Sequence, residues 1–201
     1  MTAQERPARA TPVTPEQVFI ALGAAWQMLA GTAPDRKIIH ILHAQSALET
    51  GHWKSISNYN LGGAKKHGEC DWTYFTTTER FPDAKAQSYV AASKPGAEVS
   101  VLKSGDGWTT LKFSGKQAMN CFASWETLED ASRDHLALLF KRFPKAIEAA
   151  KAGDAKAYVH ELKKAGYFTA SEEEYAKIVD SIAKSYEKKL ANVQFASVVV
   201  L

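Results

Sequence analysis

The sequence predicts an α+β domain, mainly helical, with a small antiparallel β-lobe inserted among the helices. Two observations carry this. Capping signals followed by apolar residues at helical spacing occupy both ends of the chain. The middle, from about residue 70 to 115, instead carries Thr- and aromatic-rich segments and a hairpin signal. No internal repeat interrupts the pattern.

The elements follow in order. Thr14-Pro15-Glu16-Gln17 combines an N-cap, a proline at the first helical position and a capping-box Gln, and opens a helix through Val18, Leu22, Trp26 and Leu29 that Gly31 stops. A second helix begins near Pro34, carries Ile38, Ile41, Leu42, Gln45, Leu48 and Glu49, and ends at Thr50-Gly51. Asp71–Phe81 reads as a strand. Glu98–Lys103 and Trp108–Phe113 flank Ser104-Gly-Asp-Gly107 as a hairpin, giving a sheet of two or three strands. Ser124 is expected to cap the next helix, with Trp125, Leu128, His135, Leu136 and Leu139 on its apolar face. Pro144 opens a short helix. Asp154 caps another through Tyr158 and Leu162, ended by Gly166. Ser171-Glu-Glu-Glu174 opens the last, with Tyr175, Ile178, Val179, Ile182 and Tyr186 along one stripe. Residues 1–13, with Pro7, Pro12, Arg6 and Arg9, read as a mobile tail, and 14–201 as a single domain. Val193–Leu201 reads as a strand or a docked segment.

Composition bounds the function. Of the 201 residues 45% are hydrophobic and 23% charged, an ordinary globular balance. The net charge of +3 is too small to argue for nucleic-acid binding, although it suits an acidic polymer. Nothing approaches the roughly 18 consecutive apolar residues of a membrane span. The first fifteen residues hold no apolar run of signal-peptide type, so a non-classical route of delivery is expected. Cys70 and Cys121 lack CxxC or His-pair spacing, which argues against zinc; a disulfide and two free thiols are both open. His40 and His43 stand at i, i+3 without HExxH spacing, and no nucleophile elbow, GxGxxG or P-loop is present. No metal or cofactor is expected.

The informative stretch is Ile41–Lys65. Glu49 lies one turn after Gln45 on the buried stripe of its helix, immediately before the Gly51 stop. A carboxyl group among apolar and aromatic neighbours has a raised pKa, because desolvation disfavours the anion. It then holds a proton near neutral pH and delivers it to a leaving-group oxygen, the chemistry glycosidic cleavage requires. Trp53, Tyr59, Trp72, Tyr74 and Trp108 supply aromatic faces for sugars or for the core.

Four segments in order resemble one family. Ala44-Gln-Ser-Ala-Leu-Glu-Thr-Gly51, then Trp53-Lys54-Ser55 and Asn58-Tyr-Asn-Leu-Gly-Gly63, is similar to the active-site segment of the bacterial β-N-acetylglucosaminidases of glycoside hydrolase family 73. Thr76-Thr-Thr-Glu79 resembles its β-lobe T-x-E element. Phe122-Ala-Ser-Trp-Glu126 with Asp134-His135 resembles a helix start, and Leu162–Thr169 followed by Glu174–Ile178 resembles the closing AGYAT segment. The span is Ile38–Tyr186.

The resemblance implies a lysozyme-like fold and a peptidoglycan hydrolase that cuts the glycan strand at N-acetylglucosamine without a cofactor. It implies Glu49 as catalytic acid, Glu79 as the second carboxylate with Asp71 as competitor, and Tyr167 near the cleavage point. Asn60 matches the loop asparagine beside the acid. Gln45, Trp53, Asn60, Asp71 and Trp72 are expected to bind substrate. Departures cluster around the sugar-holding part: the family's Trp-Gly is His52-Trp53, its Phe-Gly-Ile-Lys is Gly62-Gly63-Ala64-Lys65, and its Phe-Arg-x-Tyr has become Ala118–Phe122 without the Arg. A muramidase or lytic transglycosylase is the nearest alternative, and a non-catalytic wall-binding module the alternative from another class. The expected place of action is the periplasm or cell wall, reached as an antibacterial effector with a cognate immunity protein or as a phage lytic enzyme, by a monomer.

Overall fold

The computed structural model describes residues 2–195. Among these residues seven α-helices and five strands alternate in blocks, giving the mainly helical α+β architecture the sequence predicts. By contacts the chain forms two compact units: a β-rich unit of the residues up to Arg9 with Ala64–Trp125, and a helical unit of Ala10–Gly63 with the chain from Glu126 onward.

In the helical unit, α1 (Pro15–Ala30) begins with the capping box of Thr14 and Gln17 and ends at Gly31, whose φ of 68° is the left-handed conformation glycine tolerates. α2 (Arg36–Glu49) is capped by Asp35 and is buried continuously from Ile38 to Ala47. α4 (Leu128–Arg142), α5 (Pro144–Lys151), α6 (Ala155–Lys164) and α7 (Glu172–Lys189) complete the unit. Asp154 and Ser171 cap α6 and α7 as expected, by accepting from the Ala157 and Glu174 N–H groups. One apolar core joins these helices, with Trp26, Trp53, Tyr158, Phe19 and Leu42 among its fully buried members. A helix enclosed on all sides cannot leave polar groups unpaired without cost. His43 accordingly donates from Nε2 to the Pro15 carbonyl (2.9 Å), and burial pushes its pKa down to about 4 and keeps the ring neutral, against an opposite pull from that hydrogen bond. Among the described residues no helix is long and apolar enough to cross a membrane.

The β-rich unit differs from expectation in three ways. Asp71–Phe81 is not one strand but two, β1 (Asp71–Tyr74) and β2 (Thr77–Pro82), which belong to different sheets. β1 pairs antiparallel with β5 (Cys121–Ser124), while β2, β4 (Trp108–Phe113) and β3 (Val99–Gly105) form a three-stranded antiparallel sheet in the order β2-β4-β3. Ser124 therefore ends a strand opposite Asp71 and does not cap a helix; Thr127 caps α4, accepting from the Asp130 N–H. A short helix, α3 (Asp83–Ala91), follows β2 directly. It packs Ala86 and Tyr89 with Phe81, Leu111 and Phe113 into a small separate core. The hairpin itself is as expected: Asp106 and Gly107 turn at φ 56° and 78°, the two left-handed positions of a tight hairpin turn.

The first residues are not a free tail. Arg6 N–H donates to the Trp72 carbonyl (2.7 Å) and Trp72 N–H to the Gln4 carbonyl (3.1 Å), so the segment extends the edge of β1. Thr11 continues in the helical unit, bonding Ile56 and Tyr59. An exposed β1 edge offers unpaired backbone groups, and pairing them outweighs the disorder that proline and arginine favour in isolation. Among the described residues Cys70 and Cys121 form no disulfide. Of the expected C-terminal segment, residues 196–201 lie outside the described residues; Phe195 stacks on Phe19 (4.8 Å between ring centres) and Arg36 donates to the Leu190 and Val193 carbonyls.

Trp53 lies within the core and not on a surface. It is 1% exposed, donates from Nε1 to Ser46 Oγ (3.0 Å) and packs on His43 and Tyr186. Trp53→Ala is expected to destabilise the protein by about 3–5 kcal/mol in denaturant unfolding. A loss of substrate affinity at unchanged stability would contradict this placement.

Candidate functional site

α2 ends at Glu49, and the next turn is bent sharply. Gly51, His52 and Trp53 all have positive φ (57°, 59°, 58°), a run that costs free energy at the two non-glycine positions. Its compensation is visible: His52 N–H donates to the Ala47 carbonyl (2.7 Å), Trp53 N–H to Thr50 Oγ1 (3.2 Å), and the buried Trp53 indole anchors the turn to Ser46. Ser46 also donates to the Leu61 carbonyl (2.7 Å), tying the Asn58–Gly63 loop to the same helix. Glu49 is thus held where a helix stops at an open surface.

The carboxyl of Glu49 accepts from Tyr175 Oη at 2.6 Å. Burial raises its pKa, against a smaller lowering by that hydrogen bond. The side chain keeps a solvent-exposed face while protein crowds its other side. Solvent at that face screens the effect. Among the described residues no cation pairs with the carboxyl. In the neutral form Oε1, as acceptor from Tyr175, is the carbonyl oxygen, and the proton resides on Oε2, free for transfer.

Two further tyrosines complete the cluster. Gln45, fully buried one turn before Glu49, donates from Nε2 to Tyr167 Oη (2.7 Å), and Tyr158 Oη donates to Gln45 Oε1 (3.4 Å). Because Tyr167 accepts from Gln45, its own proton is available to another acceptor. Burial and the nearby Glu49 raise the pKa of Tyr167 and Tyr175, so both stay protonated donors throughout the neutral range. Tyr175 stacks flat on Phe168 (3.9 Å, 6°) and Tyr167 meets Phe143 edge-on, which fixes both phenols. Gly62 sits against His135, where an added Cβ would lie 2.8 Å from the ring; the imidazole fills the space a side chain would need at that departure from the family pattern.

The helical unit therefore brings together Glu49, Gln45 and Tyr167 among the expected residues. Gln45 orients Tyr167 and, being fully buried, is no substrate ligand. Asn60 is buried in the neighbouring loop, its N–H donating to the Ser57 carbonyl (3.0 Å). Glu79, Asp71 and Trp72 stand in the β-rich unit. Glu79 is exposed on β2, opposite Leu111 in register. Asp71 is engaged at both oxygens, by the Gln4 N–H (2.9 Å) and by the Arg6 guanidinium. Burial pushes its pKa up, but these bonds and the Arg6 charge together hold it below the usual carboxylate value. Trp72 has one ring face covered by the Lys66 ammonium, 3.2 Å from the ring centre. Tyr158 and Tyr175 were legible only as members of apolar stripes. A buried tyrosine hydroxyl needs a polar partner, but which partner is not local information. Among the described residues no group of three or more His, Cys, Asp or Glu side chains could hold a metal ion.

The family model described as Mannosyl-glycoprotein endo-beta-N-acetylglucosaminidase matches residues 36–188, nearly the span over which the motifs resemble that family. Similar solved structures include the catalytic domain of the autolysin Auto from Listeria monocytogenes, at 17% identity and TM-score 0.46 over 89% of this chain and 88% of that one. Another is a point mutant of the peptidoglycan hydrolase from Sphingomonas sp. A1, at 18% identity and TM-score 0.46 over 90% and 99%. No curated protein sequence matches the chain.

A raised pKa means that folded Glu49 binds its proton more tightly than the unfolded chain does. Its contribution is then favourable below the unfolded value of about 4.3 and is lost as pH rises through the folded value. The thermal midpoint of Glu49→Gln is accordingly expected to gain on the parent as pH rises from about 4 to 8. A gap that is constant with pH, or widest in acid, would contradict the assignment.

Proposed function

Because the chain belongs to the mannosyl-glycoprotein endo-beta-N-acetylglucosaminidase family of glycoside hydrolases, we propose that it hydrolyses the glycan strand of peptidoglycan at N-acetylglucosamine, with Glu49 as the general acid. The observation that carries this reading is the Glu49 carboxyl, desolvated on one side, open on the other and bonded at Oε1 by Tyr175. Such a group is protonated at a pH where an ordinary glutamate is not, and its Oε2 is not the oxygen bonded by Tyr175. Transfer of that proton to the glycosidic oxygen lets the bond break as positive charge develops at the anomeric carbon. The Tyr175 hydrogen bond then serves the carboxylate left behind. Tyr167, with its proton directed away from Gln45, donates to a substrate oxygen at the cleavage point.

The second carboxylate in this reading is Glu79. Asp71 is the weaker candidate, since both of its oxygens are occupied and Arg6 stabilises its anion. An exposed carboxylate on β2 is free to activate water or to face the developing charge. Trp53 and Gln45 do not enter as sugar platforms, because both are buried, while Trp72 has one ring face covered by Lys66.

Glu49→Gln is expected to lower clearing of purified sacculi by about 10²–10⁴-fold while the protein stays folded. Unchanged clearing would remove Glu49 from the mechanism. Digests are expected to carry reducing N-acetylglucosamine ends by mass analysis. Reducing N-acetylmuramic acid would reassign the bond, and anhydro-muramic acid would make the enzyme a lytic transglycosylase. Exported to the periplasm by an added signal, the chain is expected to lyse cells and Glu49→Gln to leave them intact. Tyr175→Phe removes a bond that lowers the Glu49 pKa, so Glu49 stays protonated to higher pH and the alkaline limb of the rate profile moves up. A limb that stays in place would mean that Tyr175 does not act through Glu49.

A further inference from the structure

The three-stranded sheet of the β-rich unit has two faces of different character. Strand alternation puts Leu111 and Phe113 of the central strand β4 on one face, where they pack with Phe81 and α3. The opposite face is set by the register. Thr78, Lys112 and Ser100 lie abreast across β2, β4 and β3; Arg80, Thr110 and Lys103 form the next row; Pro82, Trp108 and Gly105 form the last. Three cations, three hydroxyl side chains and one tryptophan thus share a solvent face that carries no carboxylate.

Among the described residues Arg80, Lys103 and Lys112 form no ion pair. Of the acids of the same hairpins, Asp83 accepts from Thr109 Oγ1 (2.7 Å) and Glu98 from the Gly96 N–H (2.8 Å), Glu79 alternates to the other face, and Asp106 lies in the β3–β4 turn beyond the last row. Lys112 is a diagonal neighbour of both Arg80 and Lys103, a like-charge arrangement that works against the sheet. Trp108 is 43% exposed at the end of the face, with the Arg80 guanidinium 5.2 Å from its ring centre. An exposed tryptophan beside unpaired cations and hydroxyls offers apolar surface for a sugar ring next to donors for an anion.

We propose that this sheet face, Arg80, Lys103, Lys112 and Trp108, is a second binding surface for the same wall polymer, taking the carboxylates of its peptide stems. The choice of occupant rests on charge complementarity and on the peptidoglycan reading above: a polymer of sugars bearing carboxylate-rich peptides matches cations, hydroxyls and an aromatic plane together. The surface stands on β2–β4, whereas the general acid stands on α2, so polymer retention and bond cleavage are carried by different residues. A chain held at one point stays near the other, which raises its effective concentration there.

Retention on purified sacculi free of phosphodiester polymers tests this by co-sedimentation, with Glu49→Gln as the parent so that the polymer is not consumed. Adding Arg80→Gln, Lys103→Gln and Lys112→Gln, all at exposed positions, is expected to weaken retention at least tenfold with an unchanged near-ultraviolet circular dichroism spectrum. Amidating the sacculus carboxylates is expected to bring the parent down to the level of the multiple variant. Raising salt from 50 to 500 mM is expected to weaken only the parent on native sacculi, as screening requires. Equal retention of the two proteins, or parent retention indifferent to amidation, overturns the surface and leaves the hydrolase reading standing. A parent that is not retained at all, together with a wild-type protein that does not cut sacculi, overturns the peptidoglycan reading itself and the surface with it.

Discussion

The molecule depends on α2 being enclosed on all sides. Ten consecutive residues from Ile38 to Ala47 are buried, yet this stretch carries His40, His43, Gln45 and Ser46 as well as hydrocarbon. Desolvating such groups without partners costs roughly 1–3 kcal/mol each, so their bonds set what packs around the helix. His43 fastens the start of α1, Gln45 receives α6 through Tyr158 and orients Tyr167, and Ser46 holds both the Trp53 turn and the Leu61 loop. Among the described residues the exceptions are His43 Nδ1, which has no partner, and His40, with neither ring nitrogen bonded and its pKa pushed down mainly by burial. Glu49 is where this enclosed helix reaches solvent, so a carboxyl desolvated on one side is the consequence of the packing.

The same packing explains why the strained turn after Glu49 persists. Positive φ at His52 and Trp53 is unfavourable locally, but it turns the indole back under α2, where about 150–250 Å² of aromatic surface leaves water. That burial, worth several kcal/mol, exceeds the local strain. The turn stops the helix within one residue of Glu49 and keeps the outer side of the carboxyl clear. The β-rich unit has its own small core around Ala86, Leu111 and Phe113, and what distinguishes it chemically is the face turned away from that core.

How much was legible in the sequence follows from how local each signal is. Thr14, Gly31, Asp154 and Ser171 marked helix ends correctly because a cap bonds within three or four residues of itself. The Asp106-Gly107 turn was readable for the same reason. Ser124 misled because a hydroxyl that could cap a helix serves equally well in a strand, and the pairing of β5 with β1 joins residues some fifty positions apart. The N-terminal segment misled likewise: proline and arginine favour disorder alone, but Trp72 offered an edge to pair with. At the site, Glu49, Gln45 and Tyr167 came from motif order, whereas Tyr175 bonds Glu49 across 126 positions and no local pattern announces it. Trp53 shows the limit most plainly, since an aromatic beside a catalytic motif reads as a sugar platform until its burial is known.

The central claim is that the fold holds the Glu49 carboxyl in its protonated form beyond the range of an ordinary glutamate. Carboxyl carbon-13 NMR of the protein labelled at glutamate, with Glu49→Gln to assign the resonance, reads this directly. The account predicts that the Glu49 carbon titrates above about 4.3, the ordinary value, and higher still in Tyr175→Phe. Titration at or below the ordinary value, unmoved by loss of the Tyr175 hydroxyl, would contradict it.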